Sequence, residues 1–212
     1  MNNVARNRRL FEFYNECGEK YPASKIAYKW LPAKKRERYL SQILRRNYHD
    51  LTLDLGCGDG HYVKYIPNYV GLDIAVGYLK RFKKKRVWGV AQHLPFADEV
   101  FDRILMSEML EHTYEREDIL NECYRILKEK GFLIVSTPYG RDDVEHFKLQ
   151  REWKVLEEYD IAYCSYVHGA FSEPYLRKLL TDSNFEIKRV QKIGQTVESP
   201  KAIYIVAEAI KS

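Results

Sequence analysis

A stretch of ten residues, LTLDLGCGDG at 51–60, constrains the fold of this chain more than any other feature. Its first half places leucine at every second position, which is typical of a short buried strand. Its second half has glycine at every second position, at Gly56, Gly58 and Gly60, where the backbone can pass close to a ligand because no Cβ intervenes. A strand that runs into a glycine-rich turn is how open α/β sheets bind nucleotide-like ligands at their carboxyl edge.

The spacing of the glycines argues against a dinucleotide ligand. The G-x-G-x-x-G pattern needs a glycine at position 61, where this chain has His61. Asp54, just before the glycines, would repel a pyrophosphate, whereas it suits a ligand that carries a positive charge. The stretch therefore favours a cationic, nucleotide-like cofactor over NAD.

The size and composition are those of one globular domain with short additions. The chain has 212 residues, of which 45% are hydrophobic and 31% charged. No apolar run reaches the length of a membrane span, and the N-terminal residues lack the apolar core of a signal peptide. The cysteines lie far apart, at Cys17, Cys57, Cys123 and Cys164. We therefore expect no zinc site, no disulfide framework and a cytoplasmic location.

Positive charge is concentrated in residues 1–50, which hold twelve Lys or Arg against five Asp or Glu. The remaining residues hold 23 against 25. We expect two helices here, the first with Leu10, Phe11 and Tyr14 on one face and the second beginning after Pro32.

The second predicted helix has two unlike faces. An apolar stripe is formed by Tyr39, Leu40, Ile43 and Leu44. The opposite face carries Lys34, Arg38 and Arg45. We expect the basic residues to be solvated surface, and the alternative is a patch that contacts RNA phosphates.

Strands and helices alternate along the rest of the chain. Beyond the first strand, apolar runs predict strands at 69–72, 87–90, 101–106, 132–137, 185–190 and 202–207. Helices are predicted at 78–84 and 116–127, and at 172–180 with Ser172 as the cap. This alternation predicts an α/β fold with a parallel sheet that is covered by helices on both faces.

Asp73 follows the second predicted strand, a little over a dozen positions after the glycines. A carboxylate at this place can hold both hydroxyls of a ribose through charge-assisted hydrogen bonds. It can equally cap the helix that follows. Both roles are compatible.

Residues 138–169 do not follow the strand and helix alternation. We predict an amphipathic helix at about 144–159, and we expect this aromatic-rich insertion to be functional because of its length. The predicted organisation is an N-terminal helical cap at 1–50 and a domain at 51–212 that carries a lid insertion at about 139–170.

Five motifs in order identify a family resemblance. They are LDLGCGDG at 53–60, VGLDI at 70–74, HLPFADEVFD at 93–102, EMLEH at 108–112 and RILKEKGFLIVSTP at 125–138. With these motifs the chain resembles a class I S-adenosylmethionine-dependent methyltransferase of the small group with LPF and EH motifs. The resemblance implies a Rossmann-like, doubly wound sheet of seven strands, mostly parallel, with an antiparallel last strand. It also implies S-adenosylmethionine as the cofactor.

The resemblance implies a cofactor site residue by residue. The methionine part would be surrounded by Asp54, Gly56, Cys57, Gly58 and Gly60, and bordered by Ser107 and Glu108. Asp73 would hold the ribose, and Ile74 would pack on the adenine, whose edge would meet Ala91, Gln92 and His93. Many relatives have an aspartate where this chain has Val90. Gln92 or a backbone carbonyl is the expected replacement.

Few catalytic residues are expected, because methyl transfer from a sulfonium is an in-line displacement that releases a neutral group. A base is needed only where the acceptor loses a proton. The candidates are His112, Tyr139 and His168, and His146 is more simply a surface residue. Glu108 stands where a zinc-binding H-x-x-E-H pattern would need histidine, so no metal is expected.

Three functions remain open from the sequence. The first is methylation of a small molecule, with the N-terminal helices and residues 139–170 forming the acceptor pocket, and this is the interpretation we favour. The second is methylation of RNA, such as transfer RNA, through the basic N-terminal face. The third is a cofactor-binding subunit without catalysis that serves a partner enzyme. Neither the acceptor nor the oligomeric state follows from the sequence.

Overall fold

The central element of the structure is a seven-stranded sheet. The structure is a computed structural model that describes residues 3–20, 31–46, 49–81, 83–140, 148–156, 161–168, 170–195 and 203–212. Side chains are described for these ranges except at residues 3–7, 9, 20, 148–156 and 161–168.

The described helices and strands follow the predicted order closely. The helices are α1 (Asn3–Lys20), α2 (Leu31–Arg45), α3 (Val76–Arg81), α4 (Arg116–Ile126) and α5 (Glu173–Asp182). The strands are β1 (Thr52–Leu55), β2 (Tyr69–Asp73), β3 (Arg86–Trp88), β4 (Phe101–Ser107), β5 (Leu127–Pro138), β6 (Lys148–Leu156), β7 (Ile161–His168), β8 (Phe185–Ile193) and β9 (Tyr204–Lys211). Short 3-10 helices lie at His61–Tyr65 and Leu110–His112.

The strands of the large sheet are arranged in the order β3-β2-β1-β4-β5-β9-β8. The pairs β1–β2, β1–β4, β2–β3 and β4–β5 are parallel. Strand β9, the last in the chain, is antiparallel to both β5 and β8. The predicted fold class, a mostly parallel seven-stranded sheet with an antiparallel last strand, is therefore confirmed.

Strand β1 places the glycine turn at the carboxyl edge of the sheet. Leu53 and Leu55 are fully buried, and the backbone N–H groups of Gly56 and Cys57 donate to the carbonyl of Leu72 on β2, at 2.8 and 3.1 Å. Gly56 has a φ of 77°, a left-handed conformation that favours glycine. The turn is thus held against two strands while its backbone remains open above them.

The two N-terminal helices pack against the α/β domain. Helix α1 crosses α3 so closely that a Cβ on Gly77 would lie 2.4 Å from the carbonyl carbon of Gly18. In α2 the predicted apolar stripe is buried, with Leu40 and Leu44 fully inaccessible. The basic residues of its other face are exposed, namely Lys34, Arg38 and Arg45.

The helix predicted at 144–159 is wrong. Residues 148–156 are β6, which pairs antiparallel with β7, and residues 144–147 and 157–160 lie outside the described residues. Pairing with the neighbouring strand β7 overrides the helical periodicity of a short segment. The β6–β7 hairpin forms its own two-stranded sheet, and β7 lies beside α1 and the 3-10 helix Leu110–His112.

The cysteine spacing predicted no disulfide framework, but Cys17 is disulfide-bonded in the structure. Sequence spacing does not show which distant cysteines a fold brings together, because a disulfide needs close Cα atoms. Cys57 and Cys123 are buried free thiols.

In the described part of the chain, no helix has the length and apolar character needed to cross a membrane.

Candidate functional site

A cavity of about 940 Å³ lies at the carboxyl ends of β1, β2 and β4. Among the predicted cofactor residues, the structure places in its wall Gly56, Cys57, Gly58, Asp73, Ile74, Ala91, Gln92, His93, Ser107 and Glu108. Its volume is at the upper end of the range of ligand pockets, on the order of 300–1,000 Å³. The cavity therefore has room for a cofactor together with a small second ligand.

Asp54 and Gly60 are not among the described residues that line this cavity. Asp54 is buried below the glycine turn, where its Oδ2 accepts a hydrogen bond from the Tyr69 hydroxyl at 2.6 Å. Burial raises the pKa of Asp54 to about 7, although the Tyr69 hydroxyl lowers it. In this structure Asp54 supports the turn from beneath rather than facing the cavity.

We expect Asp54→Asn to stabilise the protein at pH 8 more than at pH 5. The raised pKa means that Asp54 contributes stability below about pH 4, and this contribution is lost as the pH rises towards 7, where the folded state must bury a charge. Asparagine still accepts from Tyr69. The gain at pH 8 should correspond to at least one pKa unit, about 1.4 kcal/mol.

Urea unfolding of Asp54→Asn at both pH values measures this difference. Asp118→Asn, at an exposed position in α4, is the matched control and should show no such change. If Asp54→Asn changes the free energy of unfolding equally at pH 5 and pH 8, burial does not destabilise the charged form of the Asp54 carboxyl group.

Asp73 joins the glycine turn to the start of α3. Its Oδ2 accepts from the backbone N–H of Gly58, and its Oδ1 accepts from that of Ala75, both at 2.8 Å. The second bond corresponds to the predicted capping role. Burial raises the pKa of Asp73 to about 6 against the opposing effect of these backbone donors. The carboxylate lines the cavity between the turn and β2.

An aromatic wall lies next to Asp73. The indole of Trp88, at the end of β3, donates from Nε1 to the carbonyl of Ile74 at 3.0 Å and is 55% exposed. The ring of Phe11 from α1 meets this indole edge-on, with centroids 6.2 Å apart. Gln92 donates from Nε2 to Glu115 at 2.9 Å. This end of the cavity offers flat apolar surfaces with polar groups at their rim.

Sequence reasoning missed Arg36, which lines the cavity from α2. Its guanidinium pairs with Glu108 at 2.7 Å and stacks over the Tyr204 ring at 4.4 Å, and its side chain is 3% exposed. Glu108 has a φ of 56°, unusual for a residue with a side chain. One signal was present in the sequence. Arg36 stands four residues before Leu40, so it lies on the same helix face as the apolar stripe of α2, where a charged residue is unexpected.

Glu111 was also missed. It lies in the 3-10 helix after β4, is 1% exposed, and accepts from the Thr137 hydroxyl at 3.3 Å. Burial raises the pKa of Glu111 to about 7, with Arg36 among the groups that lower it. Glu108 has a pKa raised to about 7 for the same primary reason.

The predicted catalytic residues are placed differently from one another. His112 lines the cavity, with its ring 5.8 Å from that of Tyr14. Tyr139 donates its backbone N–H to Ile203 at 2.7 Å and is not among the described residues of the cavity wall. The backbone of His168 pairs with Lys148 in the β6–β7 hairpin, and its side chain lies outside those described.

The arrangement agrees with comparisons to known proteins. A family model described as a methyltransferase domain matches residues 53–135. These residues are a class I S-adenosylmethionine-dependent methyltransferase domain. The cofactor of such a domain is S-adenosylmethionine. No group of three His, Cys, Asp or Glu side chains that could hold a metal is found among the described residues.

Two curated relatives and one solved structure illustrate the similarity. An uncharacterized protein of Methanocaldococcus jannaschii is 44% identical over 112 residues, which cover 51% of this chain and 49% of that protein. Demethylmenaquinone methyltransferase of Lactiplantibacillus plantarum is 32% identical over 56% of each chain. The chain thus spans about half the length of these curated relatives.

The solved structure is Burkholderia thailandensis 1,6-didemethyltoxoflavin-N1-methyltransferase with bound 1,6-didemethyltoxoflavin and S-adenosylhomocysteine. It superposes with a TM-score of 0.72, covering 100% of this chain and 92% of its own, at 16% identity. At this identity the likeness supports the fold alone.

The cavity residues of this methyltransferase domain fit S-adenosylmethionine. The positive-φ turn at Gly56 and Gly58 allows backbone to approach the methionine part. The Asp73 carboxylate suits a ribose diol, and Ile74 and Trp88 offer apolar surface for a base. Glu108 suits an ammonium group.

Proposed function

We propose that this protein transfers a methyl group from S-adenosylmethionine to a small-molecule acceptor. The observation that carries this proposal is one cavity in which the glycine turn and Asp73 share a wall with residues from α1 and α2. S-adenosylmethionine, when bound, supplies an electrophilic methyl carbon. The protein then has chiefly to hold two reactants in line, which alone can lower a barrier by roughly 7–11 kcal/mol.

On the cofactor side, Asp73 would accept hydrogen bonds from the ribose hydroxyls, and Ile74 and Trp88 would offer apolar surface to the adenine. The donor of Gln92 is already engaged by Glu115, so Gln92 offers its amide oxygen as the acceptor that replaces the aspartate absent at Val90. The Arg36–Glu108 pair then lies beside the methionine part.

On the acceptor side, we propose that the cap at residues 1–50 and the lid at 139–170 enclose the second ligand. Leu10, Phe11 and Tyr14 of α1 line the cavity, as does Arg36 of α2. Strand β7 lies beside both α1 and the 3-10 helix that carries Glu111. The size and the aromatic lining favour a small molecule. A relative named for methylating demethylmenaquinone and a neighbour with a bound small ligand are consistent with this choice.

Asp73→Ala should weaken binding of S-adenosylhomocysteine by about 1.5–3 kcal/mol, the range for hydrogen bonds to a charged group. Titration calorimetry of wild type and variant measures the loss, and Glu117→Ala, at an exposed position of α4 outside the described cavity wall, serves as a folded control. NAD should not bind either protein. Unchanged affinity for S-adenosylhomocysteine in a folded Asp73→Ala variant would mean that Asp73 acts only as a helix cap. Tight binding of NAD without binding of S-adenosylhomocysteine would refute the proposed activity.

The acceptor can be identified by incubating the protein with a cell extract and methyl-labelled S-adenosylmethionine. We expect the label in the low-molecular-weight fraction. Label in RNA would support the second function instead. Binding of S-adenosylhomocysteine without transfer to any fraction would support the third function, a non-catalytic subunit.

Reversing Lys34, Arg38 and Arg45 to Glu should leave activity on a small acceptor unchanged. These side chains are exposed and are not among the described residues of the cavity wall, which Arg36 reaches from the same helix. An RNA substrate would instead lose affinity, because each phosphate contact contributes roughly 0.7 to the log-log salt slope of single-strand binding. Filter binding of transfer RNA across a salt series, with wild type and variant, separates the two cases.

A further inference from the structure

Glu111 is a carboxyl group in the cavity wall whose hydrogen-bonding capacity is only half used. Its Oε2 accepts from the Thr137 hydroxyl at 3.3 Å. Its Oε1 is buried without a hydrogen-bond partner among the described residues, and His112 Nε2 lies 3.8 Å away. A buried polar atom without a partner costs stability, so its retention in a ligand cavity calls for an explanation.

The neighbouring carboxyl group is satisfied. Glu108 receives the Arg36 guanidinium on Oε2 at 2.7 Å and the Ser136 hydroxyl on Oε1 at 3.1 Å. The Arg36 guanidinium is therefore in direct contact with Glu108, which is half-buried, whereas Glu111 is buried. Glu111 remains as the acceptor that a ligand can use.

The surroundings keep Glu111 ready to exchange a proton near neutral pH. Burial raises its pKa to about 7, while Arg36 from α2 and Arg116 from α4 lower it. Among the described residues, the other titratable groups that face it are Glu108, which follows β4, Tyr204 of β9, and His112, its neighbour in the 3-10 helix. A pKa close to the working pH is the best value for a general base.

We propose that Glu111 Oε1 receives the proton that the methyl acceptor loses, so the acceptor is a small molecule whose reacting nitrogen or oxygen carries hydrogen. This inference rests on the proposed function. As the new carbon–nitrogen or carbon–oxygen bond forms, the electron pair of the donor's carbon–sulfur bond stays with sulfur. The proton of the acceptor atom passes to Glu111, which later releases it to solvent.

Glu111 suits this role better than two of the candidates from the sequence, Tyr139 and His112. Tyr139 is not among the described residues of the cavity wall. His112 lines the cavity, but with 20% of its side chain exposed it lies nearer to water. His112 Nε2 lies 3.8 Å from Glu111 Oε1, which is close enough for an electrostatic effect on the carboxylate but too far for a hydrogen bond.

The test compares wild type with Glu111→Gln and with Glu117→Gln, an exposed glutamate of α4. The substrate is the unmethylated form of the small molecule that takes up label in the extract experiment. Glu111→Gln should lower the methyl-transfer rate by about 100-fold or more, the lower bound for loss of a general base. Its affinity for S-adenosylhomocysteine should stay that of wild type, and Glu117→Gln should match wild type in both.

Two further readouts exclude a merely structural role. The wild-type rate should rise with pH through an inflection near 7, and this inflection should vanish in Glu111→Gln but persist in Glu117→Gln. In the unloaded protein, a protonated carboxyl band in the infrared spectrum should titrate near pH 7 and lose intensity in Glu111→Gln. If that variant does not fold, Glu111→Asp replaces it and should keep the inflection at a reduced rate.

Several results would overturn the inference alone. They are an unchanged rate in Glu111→Gln, an unchanged pH profile in that variant, and a product in which the new methyl completes a sulfonium or quaternary ammonium, since such an acceptor loses no proton. Failure of the wild type to bind S-adenosylhomocysteine would instead overturn the proposed function. The infrared titration would still report on Glu111 in that case.

Discussion

Arg36→Ala should lower the free energy of unfolding by about 1–3 kcal/mol, below the roughly 3–5 kcal/mol of a fully buried ion pair, because Glu108 is 22% exposed. Arg36 is 3% exposed and lies 2.7 Å from Glu108. Without the guanidinium, Glu108 is left in the cavity wall with the Ser136 hydroxyl, and Glu111 loses a neighbouring positive charge. Urea unfolding at pH 8 measures the loss. Arg38→Ala, two residues along α2 and exposed, should change stability little.

The pH dependence of this loss identifies its cause. Burial already raises the pKa of Glu108 to about 7, and Arg36 opposes that rise. Removing Arg36 raises the pKa further. A raised pKa gives stability that is present below the unfolded value of about 4.5 and is lost as the pH rises through the folded value. The deficit of Arg36→Ala should therefore be smaller at pH 5 than at pH 8. An equal deficit at both would indicate lost packing on Tyr204 instead.

Local features of the sequence predicted the frame of the site. The apolar runs of β1, β2, β4 and β5 are continuous or alternating, so their periodicity reports directly on burial. Glycine at three alternate positions after β1 predicted the turn, and the turn is confirmed with φ values of 77°, 56° and 85°. Ser172 was predicted to cap a helix, and its hydroxyl accepts the backbone N–H of Tyr175.

The rest of the site depends on contacts between distant segments. Arg36 reaches Glu108, which is far from it in the sequence, only because α2 packs against the sheet. Glu111 could be placed in a motif, but its burial beneath Thr137 depends on how β5 aligns with the 3-10 helix. Strand β6 was predicted as part of a helix at about 144–159, because strand pairing leaves no periodic signal within one short segment.

Asp54 illustrates a different kind of miss. Its position in a motif implied a cofactor contact, yet in the structure it lies within β1 and bonds to Tyr69 of β2. Side chains alternate between the two faces of a strand, so a residue two positions before the turn need not face the ligand. The turn itself, rather than the carboxylate before it, forms the cavity wall.

Gly56→Ala should disrupt the site more than any other change in the glycine turn that we consider. A left-handed backbone costs a residue with a Cβ roughly 1–2 kcal/mol. At Gly56, with a φ of 77°, the added Cβ would also lie 2.5 Å from Met109 Cγ and 2.8 Å from its Cβ. Overpacking of this kind costs about a further 1–3 kcal/mol. Met109 lines the cavity, so its displacement should also abolish tight binding of S-adenosylhomocysteine.

Gly60→Ala is the matched control, because Gly60 has a φ of 85° but is not among the described residues of the cavity wall. It should carry only the backbone cost and keep most of the affinity for S-adenosylhomocysteine. Adding Met109→Ala to Gly56→Ala removes the nearer clashing atom and should restore part of the lost stability, a coupling that a double-mutant cycle measures. Equal losses in Gly56→Ala and Gly60→Ala, with no recovery on adding Met109→Ala, would mean that backbone strain alone governs the turn.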